Sequence, residues 1–158
     1  MKAVFNSSPL IFLSKLNILN DAFSLFSEIA VPAFVYKEIS NKEDFAFSTL
    51  RSFINSEELP LIEPRNTRMV EALGHKLGRG ESEAIVIAIE SISDFVILDD
   101  HVARQEALRN GLEVKGTLGI IKRLMDLSIV QFDLNHLYQD LISMNFRVTH
   151  RIFNKIFN

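Results

Sequence analysis

Short apolar strands alternating with helices predict an α/β fold, a three-layer α/β/α sandwich with a central parallel sheet. Two observations carry this reading. Apolar, β-prone runs at 2–5, 29–31, 95–98 and 112–115 are short and end in polar or turn-forming residues, and between them apolar residues return at spacings of three and four. A third supports it: with 47% hydrophobic and 23% charged residues the chain of 158 residues has the composition and size of one globular domain, read as spanning 1–158 with C-terminal helices from about 118. Its 13 Phe, against 2 Tyr and no Trp, point to a core packed with aromatic rings.

The elements follow in order. Lys2–Phe5 reads as a strand that stops at Asn6-Ser7-Ser8-Pro9, a cluster of helix-start residues. Leu10, Leu13, Leu16, Leu19, Phe23 and Phe26 mark one amphipathic helix or two short ones. Ile29–Val31 is a short strand, and Pro32 suits the first turn of the helix carrying Val35, Glu38 and Ile39. Residues 43–56 read as helical, with Phe45, Leu50, Phe53 and Ile54 as the apolar positions; 59–64, bracketed by prolines, reads as an edge strand. A helix over 68–77 is broken by Gly78-Arg79-Gly80, and another starts at Glu81. The strand F-V-I-L then ends in Asp99-Asp100, a helix covers 102–110, Gly111 ends it, and a strand follows at 112–115. The remainder is helical, with polar interruptions near Ser128 and Asn145.

Composition excludes several chemistries. Without cysteine there is no disulfide, thiolate metal site or cysteine nucleophile, and the cytoplasm is the expected compartment. Asn6 to Pro9 interrupt the apolar N-terminus, which is read as mature sequence rather than a signal peptide, and no run reaches the about 18 apolar residues of a membrane span. A net charge of -3 gives no global basic footprint. Charge is nevertheless uneven: residues 1–100 hold nine basic and 15 acidic residues, residues 101–158 eight and five.

In an open parallel sheet, functional residues gather outside the carboxyl ends of the strands. Asn6 follows the first strand, Glu38 lies on the helix after the second, G-E-S-E-A-I places Glu81 and Glu83 at a helix start, and Asp99-Asp100 follow a central strand. Glu81 and Glu83 are about 200° apart around a helix axis, so one principal ligand is expected from that pair: Glu83 at the edge of the packed face, with Glu81 capping or solvated. Adjacent aspartates likewise diverge if the strand persists. Converging carboxylates repel unless a cation neutralises them, and oxygen-only ligands favour Mg²⁺ or Mn²⁺ over Zn²⁺. Metal-assisted hydrolysis of a phosphodiester is the chemistry such a site performs. Plainer roles compete: Glu81 as a helix-dipole partner, one aspartate as the cap of the following helix, Thr117 as a helix cap, and Arg104 as a salt-bridge partner. His75, His101, His136 and His150 lack metal-ligand spacing, and His101 alone adjoins the acids. Basic residues for a phosphate-binding rim are Arg79, Arg104, Lys115 and the Arg147, Arg151, Lys155 segment.

N-S-S-P-L-I, V-P-A-F-V-Y-K-E-I, G-E-S-E-A-I and V-I-L-D-D-H-V-A-R, in this order, resemble the PIN-domain family, especially a branch with GExEAI and DDxxAR motifs; F-R-V-T-H-R near the C-terminus also looks like that branch. The resemblance implies a central parallel sheet and Mg²⁺- or Mn²⁺-dependent cleavage of RNA. Many relatives, the VapC-type toxins, pair with an antitoxin protein and often dimerise. By position Glu38 matches the second family acid, Glu83 the third and Asp100 the fourth, with Asp99 beside it, while Ser8 matches the hydroxyl residue after the first acid. Asn6 stands where the wider family has Asp; its amide oxygen can ligate a metal but brings no charge. The resemblance therefore implies Asn6, Glu38, Glu83, Asp99 and Asp100 at the metal and Ser8 near RNA. A PIN-like module that binds nucleic acid or protein but cleaves weakly is the main alternative. A phosphoacceptor signalling domain is a third class, opposed by the lack of an acidic cluster after the first strand.

Overall fold

The computed structural model describes residues 1–42 and 45–158, with the side chains of Phe45 and Ala46 also left aside. The expected helix positions 43 and 44, and the packing of Phe45, therefore lie outside the described residues. Among the described residues, five strands form a single parallel sheet in the order β3-β2-β1-β4-β5. They are β1 (Lys2–Phe5), β2 (Glu28–Pro32), β3 (Leu61–Ile62), β4 (Phe95–Ile97) and β5 (Glu113–Lys115). Helices α1 (Ser7–Lys15), α2 (Leu19–Ser24), α3 (Ala33–Ser40) and α4 (Phe45–Asn55) precede β3; α5 (Thr67–Leu73) and α6 (Arg79–Glu90) lead to β4; α7 (His101–Arg109) leads to β5. Then come α8 (Thr117–Asp126), α9 (Leu134–Ser143) and α10 (His150–Phe157).

Strand alternation sorts side chains into two cores. Ala3 and Phe5 of β1 and Ile97 of β4 belong to the larger core, which is built with α1–α4 and α8–α10; Val4, Val96 and Leu98 face the smaller one under α5–α7. This gives the expected three layers. The phenylalanines concentrate in the larger core, where Phe5 meets Phe23 and Phe26 edge-on at 5.4 and 5.8 Å and Phe23 meets Phe53 at 5.1 Å.

Boundaries shift for local reasons. The stripe from Leu10 to Phe26 is two helices, separated where Asn17 takes φ +59°. The helix expected over 68–77 ends at Leu73, while α6 starts at Arg79, so Arg79 and Gly80 are its first turn rather than part of a break. Ser128 and Asn145, the polar interruptions, both adopt positive φ, +58° and +63°. Because the chain runs β1, β2, β3 to one side and then crosses back to β4, β1 and β4 are neighbours flanking the switch point. That juxtaposition brings Asn6 beside the Asp99-Asp100 strand end, with the Asn6 N–H donating to the Ile97 carbonyl at 3.1 Å.

Candidate active site

Asn6 is the N-cap residue of α1, a position where an amide oxygen ordinarily accepts a bond from the first turn. It makes no such bond. Its side chain is buried, and among the described residues Oδ1 has no hydrogen-bond partner; Oε1 of Glu38 is likewise buried and unpartnered among them. Both atoms approach Gly80 in the first turn of α6: a Cβ there would stand 2.2 Å from Glu38 Oε1, 3.2 Å from Val35 Cγ2 and 3.4 Å from Asn6 Oδ1. Gly80 is therefore a site residue that the motif reading treated only as a breaker; the clue was its place inside G-R-G-E-S-E, and the reason is close approach.

The two α6 acids diverge, as their spacing requires. Glu83 is buried and accepts from Arg79 Nε at 3.1 Å, while the exposed Arg79 guanidinium lies 4.6 Å over the Phe34 ring. Glu81 accepts from the Gly78 N–H at 3.1 Å, half of a capping box that Gly78 cannot reciprocate. Glu81 also lines a cavity of about 450 Å³ together with Ser8, Asp99, Asp100, His101 and Arg147. Burial raises the Glu38 carboxyl above its ordinary value, Lys42 opposes this, and the charge of Glu83 adds to it. Burial also raises Glu81; the bond from Gly78 opposes it, and the charges of Asp100 and Glu38 add to it. The acids thus form a chain of mutual repulsion, from Glu83 through Glu38 and Glu81 to Asp100.

The aspartate pair is settled differently. Asp99 accepts from Thr117 N at 2.7 Å, Thr117 Oγ1 at 2.6 Å and Ser8 Oγ at 3.0 Å, and so closes the N-terminus of α8. Asp100 is the N-cap of α7, its Oδ2 accepting from Ala103 N at 3.0 Å. Each aspartate sits at the positive end of its own helix. Thr117 is consequently the first residue of α8, with Gly116 as its N-cap, not a cap itself. Burial raises the Asp99 carboxyl despite the bonds from Thr117 and Ser8 and the attraction of Arg104.

The expected basic rim is redistributed. Arg104 Nη1 donates to the Leu98 carbonyl at 3.0 Å, which braces the end of β4 instead of reaching outward. Lys115 is turned away from the crevice: strand alternation sends Val114 to the smaller core and Lys115 to the opposite side, where Nζ lies 5.4 Å from the Phe95 ring centroid in a groove shared with Met1 and Lys122. Arg147, from the turn between α9 and α10, is the cation on the acidic cavity, and His101 is the histidine there.

Among the described residues no three Asp, Glu, His or Cys side chains form a ready-made metal cluster. The donor chemistry nevertheless fits a hard divalent cation. Asn6 and Glu38 each bring a buried oxygen without a partner among the described residues toward Gly80, an arrangement that is costly unless a donor or a cation meets it. A family model for the PIN domain matches residues 2–158. The chain belongs to the PIN-domain family. PIN domains are typically nucleases, hydrolases that act on nucleic acid, and generally use divalent metal ions. A search of curated proteins found no match. No helix among the described residues is long and apolar enough to cross a membrane.

Proposed function

We propose that this PIN domain is a metal-dependent endoribonuclease that hydrolyses RNA phosphodiester bonds with Mg²⁺ or Mn²⁺. The observation that carries the reading is the pair of unpartnered oxygens, Asn6 Oδ1 and Glu38 Oε1, over Gly80. Asn6 and Glu38 would hold the ion, with Glu83, Glu81 and Asp100 contributing further negative charge. When bound, the ion polarises the phosphodiester and makes water a stronger nucleophile. Glu81, which lines the cavity beside Asp100 and is raised by burial, would hold a proton at its carboxylate there. Asp99 is a positioning residue that fixes Ser8 and the start of α8. Following the resemblance to VapC-type toxins, the finer reading is a cytoplasmic homodimer acting as the toxin of an antitoxin pair.

The test is cleavage of a mixed RNA pool in Mn²⁺, Mg²⁺ or chelator, with Glu38→Gln as the control against contaminating nuclease. Metal-dependent cleavage lost in the variant supports the reading. Cleavage that survives both chelator and Glu38→Gln refutes it.

A second reading, a catalytically weak module for nucleic-acid or protein binding, draws on the neutral Asn6 and on the full engagement of Asp99. Asn6→Asp separates the two. One added charge at about 4 Å is worth roughly 1 kcal/mol in water and about 4 kcal/mol at an effective dielectric of 20, so Mn²⁺ binding should tighten at least several-fold by calorimetry. Cleavage that emerges only in Asn6→Asp favours the weak module.

A further inference from the structure

The cavity beside the acids has a second wall with different chemistry. Phe12 of α1 and Phe146 meet edge-on at 4.8 Å and both line it, as do His101 and Arg147. The wall is built by the turn after α9. Asn145 takes φ +63°, and Phe146 N bonds back to the Leu141 carbonyl at 2.9 Å, which sets Phe146 inward and brings Arg147 to the cavity. Arg147 is exposed and forms no ion pair among the described residues, although Glu81, Asp99 and Asp100 line the same space. A volume of about 450 Å³ falls within the usual range for small-ligand sites, about 300–1,000 Å³.

We propose that this cavity seats one nucleotide of a single-stranded RNA, with its phosphate on Arg147 and its base against the Phe12–Phe146 wall; the proposal rests on the ribonuclease reading. A free guanidinium matches a phosphate, and an aromatic wall matches the face of a base. Single strands are the substrate because only an unpaired nucleotide can turn its base out of the stack into a recess of this size. The acids that line the same cavity repel phosphate, so the phosphate is held at Arg147. His101 adds a polar edge for base or sugar.

The experiment measures binding of a short labelled single-stranded RNA by anisotropy in chelator, across a salt series, and KM for the same RNA in Mn²⁺. Arg147→Ala should weaken binding about tenfold and lower the salt slope by about one. Phe12→Leu should weaken it about tenfold with the slope unchanged, and Phe12→Tyr, which keeps the ring, should restore it, excluding a folding defect. The matching duplex should bind equally poorly to every variant. Absence of wild-type binding, or variants that bind and turn over the single strand like wild type, overturns the seat even if Mn²⁺-dependent cleavage stands. Binding that depends on Arg147 and Phe12 without any cleavage supports the seat and sinks the ribonuclease reading instead.

Discussion

The two acidic halves of the crevice are built on opposite terms. Around Asp99 and Asp100 the oxygens are used by the fold: Ser8, Thr117 and Ala103 donate to them, and two helix N-termini face them. Around Asn6 and Glu38 an oxygen of each residue is buried without a donor among the described residues, and the neighbouring charge of Glu83 repels Glu38. Asp99 has donors on both carboxylate oxygens and Asp100 on one, whereas Asn6 Oδ1 and Glu38 Oε1 have none among the described residues. Adjacency of carboxylates in a sequence therefore does not tell how their oxygens are engaged; the donors that the fold brings to them do.

The largest expected effect tests the Asn6–Glu38 half. Glu38→Gln should reduce Mn²⁺ affinity on the order of a thousandfold, since about 4 kcal/mol of attraction at an effective dielectric of 20 corresponds to nearly three decades. Its melting temperature in chelator should rise, because a buried charge is removed. A fall in chelator would mean that the Glu38 charge is already compensated by the fold, and the contrast would collapse. Asp99→Ala should do the reverse, costing about 1–3 kcal/mol of stability in urea titrations because Thr117 and Ser8 lose their acceptor. Stability equal to wild type would remove Asp99 from its structural role.

Asp100 sharpens the comparison, since it has both a cap and a charge. Asparagine caps as well as aspartate, so Asp100→Asn should stay within a few tenths of a kcal/mol of wild type, and Asp100→Ala should lose about 1 kcal/mol. Both should impair metal-dependent cleavage. If only the alanine variant does so, Asp100 serves the helix and not the reaction.

The smallest effect is in pH. Glu38, Glu81 and Asp99 are raised above ordinary values of 4.5, 4.5 and 3.8. The folded protein therefore retains protons that the unfolded chain has already released, and these groups lower stability as pH rises from those ordinary values through the raised ones. In chelator, melting temperatures should climb as pH falls through the raised values toward the ordinary ones, and Glu38→Gln should flatten the climb. A wild-type slope that the variant leaves unchanged would place the titration elsewhere.

Much of this was legible in the chain. Short apolar runs and helical spacing determined the parallel α/β architecture, because burial of a strand on both faces requires continuous apolar runs. They also put Asn6, Glu38, Glu81, Glu83, Asp99 and Asp100 at element ends. The resemblance named the family. Tertiary structure decided which of their oxygens are free, since that depends on donors distant in sequence: Ser8 and Asp99, 91 positions apart, meet only because β1 and β4 are neighbours. It turned Lys115 away through strand register, made Gly80 a contact rather than a break, and carried Arg147 from the last helices to the acidic cavity. Periodicity reports which face of an element is buried; hydrogen-bond satisfaction is a property of the assembled neighbours, and only the packed chain sets it.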